Sequence, residues 1–466
     1  MTETAKPELG TTARPLRVAV IGAGPAGFYT TEALLRSERA RVDVYDRLPT
    51  PYGLVRAGVA PDHQKLKAAI RVYEKIAQRP TFAFYGNVHV GRDVSIDELR
   101  RFYDALVLSY GAETDKRLGI AGEDLAGSHT ATEFVGWYNA HPDYRDRVFD
   151  FSGEVAVVIG QGNVAMDVSR ILSKTVDELR QTDVADYALE ALSQSKIREV
   201  HLVGRRGPAQ AKFTPPEIRE IGELADCDPI VKPEDLVLNP ESEAEIADPE
   251  NRQAHDNYEI LKEFAARGTP TKRRRYYVRN FEGPKEIHGN GRVERIVLEK
   301  NVLSGRAFEQ SAKGTGATVE IECGLVFRSI GYHGIAMPGV PFDKRAGVIP
   351  NEAGRVISDG VPVRGVYVAG WIKRGPTGVI GTNKPDGYET AESVLADAAR
   401  LEPCETPDTS ALLELLRKRG IRTVSFADFR KIDAVEVERG KRVGKPREKF
   451  ARVDEMLALL ADGGHG

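Results

Sequence analysis

Two glycine corners and one arginine pair have the residue types and spacing to do chemistry in this sequence. Gly22-Ala23-Gly24-Pro25-Ala26-Gly27 fits G-x-G-x-x-G. In that pattern the first glycine permits a tight turn and the second lets the main chain approach a pyrophosphate. The third lets a helix pack closely on a strand. Amide groups at the start of that helix then meet the diphosphate with a positive dipole end. Asp46 follows about 20 residues on, where an acid accepts from a ribose hydroxyl. The expected ligand is a dinucleotide; a glycine-rich turn in an unrelated α/β protein is the bland alternative.

Gly160-Gln161-Gly162-Asn163-Val164-Ala165 fits the variant of the same pattern that has alanine at the third position. The strand that should end in the ribose-binding acid reads "HLVGRRG" and ends in Gly204-Arg205-Arg206. A guanidinium fork matches a phosphate and stays ionised at any working pH. The anion expected there is the 2′-phosphate of NADP, although an arginine pair at a strand end can also be merely solvated. Two dinucleotide sites in one chain point to FAD with NADP(H). NADPH gives up two electrons at once as a hydride, and a flavin can take both and release them singly.

The elements that must position these groups are legible around them. "LRVAVIGAGPAGFYTTEALLRS" followed by "RVDVYD" reads as strand, glycine turn, helix and strand. "EVAVVIGQGNVAMDVSRILS" followed by "REVHLVGRRG" repeats that order. "ALVLSYGA" and "VYVAG" read as further buried strands. Residues 174–197 look like a polar, helical insertion, and the acidic stretch 221–256 like a loop or solvated helices. The fold class is α/β, with two Rossmann-like units.

The bulk numbers agree with an ordinary soluble globular protein. A chain of 466 residues suggests two to four domains. Hydrophobic residues make up 41% and charged residues 29%, and the net charge of −3 argues against a whole-protein nucleic-acid binder. No apolar run approaches the roughly 20 residues that span a bilayer. The first fifteen residues are polar and read as a disordered leader on a cytoplasmic protein. Cys227, Cys323 and Cys404 form no C-x-x-C, so neither a redox disulfide nor a metal cluster can be read from their spacing.

That absence narrows the electron acceptor. A disulfide reductase needs a cysteine pair, and no marker of an oxygen-activating pocket is visible. A soluble one-electron carrier remains. Lys272, Arg273, Arg274, Arg275 and Arg279 could form a docking face for an acidic partner, or could simply be solvated. Two other functions stay open from the residues alone. One is a flavin diaphorase or quinone reductase without a protein partner; the other is a non-catalytic redox sensor that binds both nucleotides.

The stretches "AVIGAGPAGFYTTEALL", "PYGLVRAGVAPDH", "FYGNVHVGRDV", "FVGWYN", "IGQGNVAMDVSRIL", "VGRRGPAQAKFT" and "GWIKRGPTGVIGT" together resemble the adrenodoxin reductase-type ferredoxin–NADP(+) reductases. The resemblance runs in order from about residue 16 to 390. It implies the glutathione reductase type of fold, with an NADP-binding domain inserted into an FAD-binding domain. The implied parts are 1–114 and 327–400 for FAD, 115–326 for NADP, and a C-terminal extension, 401–466, packed on the FAD domain. It implies hydride transfer from NADPH to FAD, then single electrons to a ferredoxin-type iron–sulfur protein. The FAD contacts it implies fall on Ala26, Asp46, Leu54, Val90, Trp371, Gly378, Val379 and Ile380. The NADP contacts fall on Gln161, Gly162, Asn163, Val164, Arg205, Arg206, Glu217 and Gly378. A polar pair beside the nicotinamide falls on His63 and Glu220, and a positioning role is expected for it. Asp46 departs from the glutamate more usual in that family, so a longer ribose hydrogen bond is expected.

Overall fold

A computed structural model describes residues 8–462. Its first sheet has eight strands. Five run parallel, in the spatial order Val361–Val368, Ala105–Leu108, Leu16–Ile21, Ala40–Tyr45, Phe82–Gly86. Antiparallel Arg355–Ser358 and Asn351–Glu352 extend one edge. Antiparallel Val424–Ser425 covers the other by pairing with Tyr85 and Gly86.

The second sheet has six parallel strands in the order Ser128–Thr130, Leu325–Arg328, Val155–Ile159, Glu199–Val203, Arg274–Arg279, Cys227–Val231. A three-stranded antiparallel sheet, Glu282–His288, Arg295–Ser304 and Ser311–Glu322, lies on this unit.

Apart from Arg17, both glycine-bearing strands are apolar, because their sheets are covered on two faces. Side chains alternate across a strand. Val18 and Val20 therefore enter one core cluster, and Ala19 and Ile21 the other. In the second sheet Ala156 and Val158 separate from Val157 and Ile159 in the same way.

Strands of the second sheet all come from chain between those of the first, so one unit is inserted into the other. The chain crosses out and back through a short antiparallel ribbon, Thr114–Asp115 with Tyr332–His333. The 326/327 boundary expected from sequence falls inside the strand Leu325–Arg328. Residues beyond 400 pack on the first sheet through Val424–Ser425 and the helix Phe426–Arg442, whose Phe429 meets Tyr52 edge-on at 5.4 Å. They also reach the second unit.

Two expectations need correction. Of the supposed disordered leader, residues 1–7 lie outside the described residues. Leu9 is buried, and the Gly10 N–H donates to the Arg14 carbonyl at 2.8 Å. The acidic stretch is not simply solvated either. In the helix Pro240–Ala247, Ser242 and Glu245 are buried and accept side-chain amide N–H groups from Gln210 and Gln310. Among the described residues no helix is long and apolar enough to cross a membrane.

Candidate active site

At the first corner the chain turns at Gly22, with φ of 109°. A Cβ there would sit 2.5 Å from the Ser109 carbonyl oxygen, and one at Gly27 would sit 2.0 Å from the Gly22 oxygen. At Gly24 a Cβ would meet nothing within 4 Å. The turn and the packing therefore demand the outer glycines, while the middle one faces open space. Gly24 is the N-cap of the helix Pro25–Arg36, no side chain caps that end, and Pro25 opens the first turn. The free amides suit an anion.

Asp46 Oδ2 accepts the Ala23 N–H at 2.9 Å, and Oδ1 accepts the Leu48 N–H at 3.0 Å. The shorter acid thus braces the glycine corner. Burial raises its pKa against these two amides. The other residues expected around FAD gather at the same corner. The Tyr52 N–H donates to the Ala23 carbonyl at 2.8 Å and brings up Leu54, which is 40% exposed. The Val88 N–H donates to the Asp46 carbonyl. Val90 lies two residues on, with its side chain in the core, so its main chain is what it can offer a ligand.

Across the corner, a Cβ on Gly370 would sit 2.6 Å from the Ala26 Cβ. That contact seats Trp371 beside the helix start. Trp371 stacks on Tyr332 at 5.2 Å and donates its indole N–H to the Thr377 carbonyl at 3.2 Å. Gly378 and Val379 are exposed, Ile380 is half-buried, and Asn383 holds the loop by donating to the Val379 and Ile380 carbonyls.

The second corner repeats the first. Gly160 has φ of 129°, a Cβ there would sit 2.1 Å from the Ser329 oxygen, and Gly162 faces open space. Ala165, the third small residue, is fully buried. Gln161 donates to Asn280 Oδ1 at 2.8 Å, and Asn163 Oδ1 accepts from the Thr214 N–H at 2.9 Å. Val164 packs partly buried against the core.

Arg205 is exposed and Arg206 half-buried beside it. Among the described residues neither guanidinium has a carboxylate within 4 Å. Burial, and then the Arg205 charge, lower the Arg206 pKa. The loop itself is fixed: the Arg205 carbonyl accepts from Asn301 Nδ2 and the Arg206 carbonyl from the Phe281 N–H, each at 2.9 Å. Glu245 acts on Arg206 only from beyond ion-pair distance, so the two like charges held side by side suit an anion.

The two units meet at His63 and Glu220, 3.0 Å apart from Nε2 to Oε2. Behind this bond lies Arg170, fully buried on the helix Asn163–Ser173. It binds Asp62 at 2.8 and 3.0 Å, Asp167 at 2.7 Å and Glu217 at 2.9 Å. Lys174 adds a contact to Asp62 at 2.7 Å. Burial works against the charge on His63, but Glu220, Asp167 and Glu217 outweigh it and its pKa rises. Burial and the Asp167 carboxylate push Glu217 up to about 7. Two sets of three ligand atoms within 4.8 Å arise here, Asp62–His63–Glu220 and His63–Asp167–Glu217. The Arg170 guanidinium already supplies the positive charge that such a set would seek.

Sequence reasoning found His63, Glu220 and Glu217, and it missed Asp62, Asp167 and Arg170. The available clue was an arginine one helical turn from Asp167, in a helix whose residues are mostly buried. The residues expected as a basic docking face differ in their surroundings. Arg279 is 9% exposed and paired with Glu282, Arg273 is paired with Asp226, and Arg274 donates to the Ser173 and Lys174 carbonyls. Lys272 donates to the Leu224 carbonyl, and Arg275 is half-buried. The residues lie on or next to the internal strand Arg274–Arg279, and within the molecule Arg273 and Arg279 each have a close carboxylate partner.

Two glycine corners on separate parallel sheets, facing one interface, define a two-site dinucleotide-binding oxidoreductase fold. Residues 16–223 match the model of the pyridine nucleotide-disulphide oxidoreductase family. The chain is 44% identical to NADPH-ferredoxin reductase FprA of Mycobacterium leprae, over 96% of this chain and 98% of that protein. It is 42% identical to the mitochondrial NADPH:adrenodoxin oxidoreductase of Arabidopsis thaliana, over 96% of each. The solved structure of Mycobacterium tuberculosis FprA in complex with NADPH superposes with a TM-score of 0.89 at 42% identity, covering 96% of this chain and 99% of that one. The chain belongs to the adrenodoxin reductase and FprA-type family of NADPH–ferredoxin reductases.

Proposed function

We propose that this chain is an FAD-dependent oxidoreductase that takes a hydride from NADPH and passes single electrons to a ferredoxin-type iron–sulfur protein. The observation that carries the reading is the Arg205–Arg206 pair, held without a counter-ion at the mouth of the second glycine corner. NAD has no group for it; the 2′-phosphate of NADP does.

The residues present fit both cofactors. The open space at Gly24 and at Gly162 is where a diphosphate approaches main-chain amides. We assign FAD to the first unit, with Gly22, Gly24, Pro25, Ala26, Gly27 and Asp46 at the dinucleotide. Leu54, Trp371 and Gly378–Ile380 would wall the flavin, beside the main chain at Val90. We assign NADP(H) to the second unit, from the ribbon at Thr114–Asp115 to Arg328. When bound, the flavin supplies the step from a two-electron hydride to single electrons.

The chain's own task is orientation. A hydride passes only when the reacting atoms are held about 3–3.5 Å apart and aligned. The His63–Glu220 bond spans the two units beside that approach, and the Arg170 cluster behind it fixes both partners. We assign His63 and Glu220 this positioning role, with Glu217 bracing them through Arg170. The three cysteines are unpaired, and the two buried thiols are pushed up to about 12 by burial, so no disulfide relay is available. Free thiols suit a reducing interior, and we place the enzyme in the cytoplasm.

The test is a spectrum and two titrations. The purified chain should be yellow, NADPH should bleach it at far lower concentration than NADH, and cytochrome c reduction should depend on added ferredoxin. A colourless protein, or one indifferent to the coenzyme's phosphate, refutes the proposal.

A further inference from the structure

The C-terminal extension buries charge where the two units join. Lys445, Glu448 and Lys449 are 5, 7 and 5% exposed, and Glu436 is fully buried. Lys449 Nζ donates to the Arg56 carbonyl at 3.2 Å, to the Asn139 carbonyl at 3.1 Å and to Asn139 Oδ1 at 3.3 Å, with Asp183 at 3.4 Å. Arg56 belongs to the first unit; Asn139 and Asp183 belong to the second. One ammonium, with three donors and no acceptor, therefore joins three separate stretches of chain.

The stretch it grips in the first unit also carries the site. Arg56 stands between Leu54 and His63. Its guanidinium is held by Glu436 at 2.5 Å, and Glu436 also accepts the Phe450 N–H at 3.0 Å. Further along, Lys67 binds both oxygens of Asp183 at 2.6 and 2.8 Å. Chain 54–67 is thus fastened at both ends, and C-terminal residues take part at each.

Stability alone is a poor reason for such a junction. A buried ion pair gains little net free energy over a packed apolar replacement. What main-chain carbonyls around one ammonium do provide is a fixed relative position of the segments that own them. From this arrangement we infer that residues 436–449 form a strap across the two units, with Lys449 as its positioning residue. The strap holds the 54–67 stretch against the second unit and thereby sets the approach of nicotinamide to flavin. This inference rests on the hydride transfer proposed above.

The test uses FAD-loaded full-length protein as wild type, K449M and K449Q. K449M should keep its flavin, while its melting temperature falls because the Arg56 and Asn139 carbonyls lose their donor. Amide exchange in peptides spanning 54–67 should rise, and flavin reduction at saturating NADPH should fall at least about tenfold. The half-saturating NADPH concentration should change less than about twofold, because Lys449 lies away from the arginine pair. K449Q, whose amide keeps two N–H donors, should fall between. Wild-type reduction rates and exchange in both variants overturn the inference. Loss of flavin in both also overturns it, because Lys449 is then only a stability residue. If wild type itself is not reduced by NADPH, the functional reading fails instead, and the exchange measurement alone judges the strap.

Discussion

Replacing Arg206 with alanine should cost NADPH far more than NADH. Arg206 is half-buried, has no carboxylate partner, and is held by the Phe281 main chain, so its guanidinium stands ready for an incoming anion. A hydrogen bond between charged groups contributes about 1.5–3 kcal/mol. One tenfold change corresponds to about 1.4 kcal/mol. R206A should therefore lower kcat/KM for NADPH by about 10- to 150-fold. Removing one arginine also relieves its repulsion with the other, which places the expected loss in the lower half of that range. Arg205 is exposed and more screened, so R205A should cost less, and high salt should shrink its effect further. The double variant should lose less than the product of the two, because the neighbours share one phosphate. Steady-state kinetics with both coenzymes is the assay. Equal losses for NADPH and NADH would show that the pair does not read the 2′-phosphate.

The glycine corners separate fold from ligand: G22A should destabilise the chain itself, whereas G24A should melt like flavin-free wild type yet lose FAD affinity, and thermal melts with flavin titration distinguish them. H63A should retain FAD but slow its reduction in stopped flow by about tenfold; an unchanged rate removes His63 from the site. His63 has a raised pKa, so its bond to Glu220 contributes stability fully below its ordinary value of 6.5 and loses it as pH rises through the raised one. Between about pH 6 and pH 9, H63Q should therefore lose less melting temperature than wild type. R170M leaves Asp167 and Glu217 without their buried cation, with only Lys174 left to Asp62, and should cost about 3–5 kcal/mol in denaturant unfolding, against almost nothing for an exposed arginine such as Arg180.

What could be read from the sequence follows how local each determinant is. Gly22, Gly24, Gly160 and Gly162 sit in short strand–turn–helix patterns, so the turns, the open diphosphate faces and the two βαβ units were legible from spacing. Arg205–Arg206 was legible because its place at a strand end fixes its neighbourhood. The inserted arrangement and the distant contacts at Leu54, Trp371 and Gly378 came only through resemblance, since nothing in local spacing brings residue 371 to residue 26. The Arg170 cluster and the Lys449 junction stayed hidden for the same reason: each is assembled from segments more than a hundred residues apart. In the basic run 272–279, counting charge did not reveal that Arg274–Arg279 is an internal strand, nor that Arg273 pairs with Asp226 and Arg279 with Glu282.

Insertion of one unit into the other sets an order of events on the ribosome. The strand Val361–Val368 zips onto Ala105–Leu108, which left the exit tunnel with the entire second unit still unmade. Until it arrives, the nascent first sheet has an open edge at Ala105–Leu108, and Ala26 has no Gly370 to pack against. The second unit, continuous in sequence, can fold as soon as it emerges. On the assignment proposed above, FAD is taken up only after translation has passed Trp371 and the Gly378 loop, and a stalled chain ending before residue 361 should capture NADP but remain colourless.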